Sequence, residues 1–342
     1  MQNLSHPPKN RPSGAWNPRL WLQHGLLKFR HDLASIDAIP QLALLGVMSG
    51  LVTALVILAF RAAIETPLAY LLPDRTAEGF ESLGLQGRLL LPVVGGLVLA
   101  ATLHGIKEEH RRVGIAHVIE RLSLHQGYIS LKSWGLQFLC GVLTLTSGQS
   151  CGREGPAVHL GASSASLLGQ WLNLPNNSIR TLVGCGTAAA ISASFNTPIA
   201  GIIFAMEVVL LEYSLSGFTP VIIAAVTAAF ITQTVHGDAA ALTLPDLHLG
   251  SHWELPCIVV IALLIGVASA SFVRLMSTVQ RTVRLPLAWR LIGAGLLTGI
   301  AAVFVPQIMG VGYDTISAAI QQNQTLTFLL LAAAAKLVVT SV

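Results

Sequence analysis

Residues 147–161 read SGQSCGREGPAVHLG. They lie between two apolar segments, WGLQFLCGVLTLT at 134–146 and ASSASLLGQWL at 162–172. Arg153 and Glu154 stand side by side between glycines, and Pro156 follows before the apolar pattern resumes. An ionisable residue at bilayer depth is costly and by default marks a functional site. Whether this stretch is embedded therefore decides both the fold class and where to look for function.

The composition says that it is. The 342 residues are 53% hydrophobic and only 11% charged, with a mean hydropathy of +0.67. Soluble domains carry roughly 25% charged residues. The deficit leaves too little polar surface for water, so the chain reads as an all-α polytopic membrane protein with the lipid bilayer as its first partner. A membrane β-barrel would show segments of about ten residues with alternating polarity, whereas the apolar runs here are long and continuous. The net charge of +4 comes without a basic groove interleaved with aromatics. We read the cations as topogenic, with no nucleic-acid partner. Cys140, Cys151, Cys185 and Cys257 lie in apolar or glycine-rich surroundings without zinc-like spacing. They read as reduced small hydrophobes, and no metal or cofactor is expected. Residues 1–40 carry Lys9, Arg11, Arg19, Lys28 and Arg30 but no signal-peptide core. This predicts a cytoplasmic N-terminal segment, with a short amphipathic helix over 17–40.

The spacing predicts full spans at 41–64, 88–106, 217–235, 255–280 and 288–305, a short piece at 312–320 and an apolar run over 325–342, with an aqueous loop at 65–87. The apolar pieces at 113–124, 129–146, 155–172, 179–191 and 198–211 read as mostly too short to cross alone. They are interrupted by Gly, Ser, Asn and Pro. Irregular backbone at membrane depth survives only where protein or a water-filled cavity covers it. Helices that end near the midplane and point at a site are a transporter device. The blander alternative is a set of re-entrant or tilted helices with no substrate role.

Gly152-Arg153-Glu154-Gly155-Pro156 fits the start of a helix. A helix N-terminus carries roughly half a positive charge and unpaired N–H groups. Glycine lets an ion approach that backbone, and proline in the first turn sacrifices no hydrogen bond. Such a start binds an anion without a full fixed charge, and conduction requires binding weak enough to release the ion. A carboxylate is itself a favoured anion at that position, so Glu154 could occupy the site when ionised and leave it when protonated. The same residues also fit a Glu154–Arg153 ion pair or a plain helix cap.

GREGP at 152–156 with AVHLGA after it resembles the second anion-pathway motif of the CLC family of chloride channels and chloride/proton exchangers. ASFNTPIAGIIFAME (193–207) is similar to the family's next helix pair. VGIAHVIE (113–120) stands at the place of the first motif, and KLVVTSV (336–342) resembles the helix before the third. The resemblance implies an inverted repeat of tilted and broken helices over 41–342. The first repeat would cover about 41–235 and an incomplete second repeat about 255–342. It further implies a homodimer with one pore per subunit in a prokaryotic-type inner membrane. The transported ion would be chloride or another small anion. Glu154 becomes the gate and outer proton acceptor. The anion-binding residues become Gly152, Arg153, Gly155 and Pro156 with Val113, Gly114, Ile115 and Ala116.

Several positions depart from the family pattern. Val113 replaces the first-motif serine whose hydroxyl contacts the central anion. Ala116 and His117 replace the motif's proline and acid, and His117 is expected as an interfacial histidine. Glu207-Val208 stands where many exchangers carry two glutamates, the second of which takes the proton from the cytoplasm. Valine holds no proton. This favours channel-like conduction, with Glu207 as the candidate internal proton route or else a buried structural acid. Lys336 reads as an unpaired cation within an apolar run. The run to Val342 predicts a truncated chain, which keeps a non-conducting structural subunit open beside the channel and exchanger readings. A Cys151 or serine nucleophile with His159 as base is the weakest alternative. We expect no enzyme.

Overall fold

The computed structural model describes residues 39–74, 79–211, 215–237, 253–321 and 324–341. The amphipathic helix expected at 17–40 lies outside them, except that Ile39 and Pro40 open helix α1. That helix runs Ile39–Leu71, well into the expected aqueous loop. The reason is local: Arg61 Nε sits 2.7 Å from Glu65 Oε1, one turn on. The two charges neutralise each other along the helix, so the apolar pattern continues past them. A 3₁₀ turn at Phe80–Ser82 precedes α2 (Leu85–His104).

Short helices follow: α3 (Glu108–Arg111), α4 (Ile115–Leu124) and α5 (Leu131–Thr146). Then come α6 (Glu154–Trp171), α7 (Asn176–Phe195) and α8 (Pro198–Phe204). Helix α8 passes into a π-helical turn, Ala205–Leu210, which the sequence did not suggest. The rest comprises α9 (Leu215–His236), α10 (Glu254–Thr282), α11 (Leu287–Phe304), a 3₁₀ turn at Pro306–Ile308, α12 (Tyr313–Ile320) and α13 (Leu326–Thr340). Among the described residues there is no strand.

Five helices are long and apolar enough to cross a membrane: Pro40–Leu71, Leu85–His104, Gly217–His236, Glu254–Thr282 and Leu287–Phe304. The expectation that the broken pieces are mostly too short needs correcting for two of them. Helices α6 and α7 contain 18 and 20 residues, or about 27–30 Å at ~1.5 Å per residue. What they lack is apolarity. They bury His159, Ser163, Ser164, Ser166, Ser178, Thr187, Ser192 and Ser194 inside protein. The hydroxyls are satisfied by backbone: Ser164 Oγ donates to the Leu160 carbonyl at 2.7 Å, and Ser192 Oγ to Ala225 at 2.6 Å. Polar residues are therefore tolerated because other helices, not lipid, surround these two.

The core forms where α6 and α7 meet. Gly161 and Gly186 face each other so closely that a methyl group added at either would overlap the other's carbonyl. Small residues at helix contacts let backbones approach where lipid supplies no hydrophobic driving force. Ile57 and Phe60 of α1, Ala188 and Ala189 of α7, Met206 and Ala224 pack around this contact. A second cluster joins Leu68, Phe80, Ile308, Met309 and Ala332. Helix α10 buries none of its residues against the rest of the described chain.

Because Gly186 meets backbone rather than a flexible side chain, Gly186→Val has to separate α6 from α7. Overpacking typically costs about 1–3 kcal/mol. We expect a lower thermal unfolding midpoint in detergent, whereas Gly266→Val, at a position with open space around it, leaves the midpoint nearly unchanged.

Candidate functional site

The opening stretch folds as a fixed break between α5 and α6. Gly148 has φ +68°, and any side chain there would meet Met309 and Phe80. The Gly310 N–H donates to the Gly148 carbonyl at 3.3 Å. Gln149 Nε2 donates to the Pro92 carbonyl at 2.8 Å, and its Oε1 accepts from Thr298 Oγ1 at 3.3 Å. Ser150 Oγ lies 2.9 Å from Thr340 Oγ1. Helices α2, α11 and α13 therefore all grip the residues just before GREGP. Sequence reading singled out the glycines and charges; it missed Gln149 and Ser150 as the anchors that hold them.

Arg153 is the N-cap residue of α6 and makes no side-chain cap. Glu154 is the first helical residue, Pro156 has no N–H to offer, and the Ala157 N–H donates to the Arg153 carbonyl at 3.0 Å. The space around Gly155 is open, so the backbone at the helix start is approachable. The Arg153 guanidinium lies over two rings, 5.4 Å from the centroid of Phe195 and 4.9 Å from that of Tyr313. An Arg153–Glu154 ion pair is not among those the described residues form, nor does Glu154 cap the helix. Its carboxylate is exposed, folds over Gly152, and accepts a hydrogen bond from the Tyr313 hydroxyl at 3.3 Å. Phe195 and Tyr313 were not read from the sequence. Tyr313 stands 159 positions from its partner, and no local pattern announces such a contact.

The other expected anion-site segment starts α4. Gly114 is its N-cap at φ +86°, with open space where a Cβ would sit. Val113 and Ile115 are half-buried and Ala116 is exposed. Ser133 Oγ of α5 holds this start in place, 3.3 Å from the Arg112 carbonyl and 3.3 Å from His159 Nε2. His117 is buried in protein, its ring centroid is 5.5 Å from that of His159, and its Nδ1 is 3.8 Å from Glu120 Oε2. His117 and His159 thus dock α4 onto α6. The His159 nitrogens are each 3.3 Å from a serine hydroxyl, Ser133 and Ser163, which leaves no arrangement resembling a Cys151–His159 dyad. All four cysteines are free.

Two further expectations change. Glu207, on the π-helical turn, is exposed rather than a buried acid, as is Val208 beside it. Lys336 is not an unpaired cation: its Nζ donates to the carbonyls of Gly310 at 3.0 Å and Ile308 at 3.3 Å. The 3₁₀ turn and the extended residues after it leave those carbonyls outside any helix ladder, so an ammonium finds acceptors there.

A family model for voltage-gated chloride channels matches residues 95–342. The chain belongs to the CLC family. It is 34% identical over 239 residues to a ClcB-like chloride channel protein of Ralstonia nicotianae, covering 67% of this chain and 55% of that one. It is 29% identical over 282 residues to the voltage-gated ClC-type chloride channel ClcB of Citrobacter koseri, covering 80% and 67%. The chain thus spans little more than half of the first relative's length. A solved CLC-type fluoride/proton antiporter superposes with a TM-score of 0.75 at 26% identity, covering 90% of this chain and 77% of that one. The fold is the all-helical CLC fold, and this CLC chain is a multi-pass membrane protein.

Two stability predictions follow from the surroundings of the site. Lys336→Met fits the apolar run but leaves two carbonyls without their cation. A hydrogen bond to a charged group is worth about 1.5–3 kcal/mol, and we expect a loss of that order in detergent unfolding. Outside the spans, partial desolvation first and the Asp314 charge second raise the Glu81 carboxyl from its ordinary value, against Arg88, Gln307 and Thr315, and because the residue is exposed, solvent screens the effect. The folded state then binds that proton more tightly than the unfolded state does. Stability is lost as pH rises and regained as pH falls through the raised value. Glu81→Gln should therefore raise the melting midpoint at neutral pH, with the gain vanishing below the carboxylate range.

Proposed function

We propose that this CLC protein carries chloride across a bacterial inner membrane as a homodimer with a cytoplasmic N-terminus. Each subunit has its own pore, gated by Glu154. The first structural repeat spans about 41–235, and 255–342 belongs to the second. The anion site is the pair of helix starts: Gly114, Ile115 and Ala116 after Val113 on α4, and Gly152, Arg153, Gly155 and Pro156 around Glu154 on α6. The observation that carries this reading is the start of α6, where open backbone at Gly155 sits beside an exposed carboxylate.

Magnitudes favour helix ends over a lysine or arginine as the permeation site. A unit charge 4 Å from chloride is worth ~4 kcal/mol at an effective dielectric constant of about 20. A helix end with roughly half a charge gives ~2 kcal/mol. Each ~1.4 kcal/mol is a factor of ten in residence, so the weaker site releases its ion faster. Arg153 is engaged with aromatic rings, which suits a site built from backbone. We take conduction as channel-like, because Val208 offers no inner proton acceptor. The likeness to a fluoride/proton antiporter supports a second reading, exchange of the anion for protons with Glu207 as the inner acceptor.

Chloride efflux from liposomes, with pH recorded simultaneously, tests both. The 342-residue chain is compared with a form extended to the length of its relatives. Channel conduction predicts flux without proton movement. Coupled proton movement would replace it with exchange, and no flux from either correctly folded form would leave a structural subunit. In the conducting form, Glu154→Ala should keep anion flux and lose its pH dependence; a variant as pH-dependent as wild type would sink the gate assignment.

A further inference from the structure

We propose that Tyr313 is a positioning residue for Glu154, a hydroxyl anchor that holds the ionised carboxylate folded over Gly152, within the proposed anion site at the α6 start. The proposal rests on the reading of Glu154 as the gate. It adds the element that sets where the carboxylate spends its time.

The anchor is held from three directions. Gly312, with φ +91°, turns the chain into α12 directly before Tyr313. Lys336 fixes the backbone behind that turn through the Ile308 and Gly310 carbonyls. The Arg153 guanidinium lies 4.9 Å from the tyrosine ring centroid and holds the ring from the α6 side. From this fixed ring the hydroxyl reaches Glu154 Oε1 at 3.3 Å. A tyrosine suits the role because it is long but has few rotatable bonds, so a distant backbone can place its hydroxyl at little cost in side-chain entropy. At 3.3 Å the bond is long for O–H···O, which makes it weak enough to be broken and remade.

That position lies at the helix start, where unpaired N–H groups favour an anion, so the held carboxylate competes there with the permeant ion. Without the hydroxyl, ionised Glu154 leaves Gly152 more readily and competes less. Protonation removes the competition in either case. The charged groups around the pair are Arg153 beside it, Asp314 next in sequence with Glu81 facing it, and Lys336, whose charge opposes that of Glu154 at Cys151.

The test uses flux through the conducting, full-length protein as a function of pH, in wild type, Tyr313→Phe, Glu154→Ala and the double variant. Phenylalanine keeps the ring under Arg153 and removes only the hydroxyl. We expect Tyr313→Phe to raise flux at neutral pH by roughly three- to tenfold, about one hydrogen bond's worth, with the difference lost in acid. The substitution should have no effect in the Glu154→Ala background. A ring-fluorinated tyrosine at 313, a stronger donor, should move flux the opposite way, which a purely structural ring would not. Asp314→Asn serves as the control for neighbouring titration and should leave the Tyr313→Phe effect in place. A pH profile for Tyr313→Phe equal to wild type overturns the proposal, as does an effect that persists without Glu154. If Glu154→Ala itself keeps wild-type pH dependence, the gate reading has failed instead.

Discussion

Lipid cannot hydrate a peptide group. A chain that breaks its helices at membrane depth must therefore satisfy every freed N–H and C=O from within. This constraint organises the structure around residues 147–153. The break costs α5 and α6 their shared ladder, and the replacement partners come from far along the chain. Gln149 binds a carbonyl of α2 and a hydroxyl of α11, Ser150 meets Thr340 of α13, and the Gly148 carbonyl accepts from Gly310. Gly310 and Thr340 are themselves at irregular or terminal backbone. Lys336 answers the carbonyls left open after the 3₁₀ turn at Pro306–Ile308. Breaks in the two halves of the described chain thus complete one another.

The same constraint explains what is left unsatisfied. Gln149 and Ser150 in the break find partners while the buried Arg153 Nε has no hydrogen-bond acceptor among the described residues, and the space before Gly114 and Gly155 stays open. Both are at helix N-termini, where N–H groups lack intrahelical acceptors. Filling either with a side-chain cap would have been easy; serine and aspartate do this in most helices. Here Gly114 and Arg153 are the N-caps and neither provides one. Other helix starts, such as those of α2, α7, α11 and α13, also lack a side-chain cap, so the missing cap alone does not mark a ligand site.

Much of this was legible in the sequence. Apart from the end of α1, hydropathy placed the long helices within a few residues, because lipid-facing spans must be continuously apolar. The GREGP stretch announced a helix start through its glycines and proline, which have local conformational meaning. The errors have physical causes. Helix α1 outruns its expected end because Arg61 and Glu65 pair along it, which hydropathy scores as two charges. Serine-rich α6 and α7 looked interrupted, although their hydroxyls bond to backbone and their surroundings are protein. His117 packs against His159, 42 positions away, in a contact that periodicity does not encode. Tyr313, Gln149 and Thr340 were invisible for the same reason: their roles exist only across the fold.

Val113 and Val208 bear on what such a site can select. A hydroxyl at position 113 would give the anion one directional donor; valine leaves backbone N–H groups as the donors at that start. Backbone donors cannot be tuned one at a time by substitution, so discrimination falls to the size of the space and to the cost of stripping water from the ion. That cost grows as the anion shrinks, so in the proposed pore a less demanding ion such as chloride is favoured over a more strongly hydrated one unless further donors compensate. Position 208 acts on the proton instead. With valine there and Glu207 exposed on the π-helical turn, a proton bound for Glu154 from the inner side would have to start from Glu207 or from water. A gate that exchanges its proton with one side of the membrane alone responds to pH without coupling ion to proton, and that is the physical difference between a channel and an exchanger built on the same helix starts.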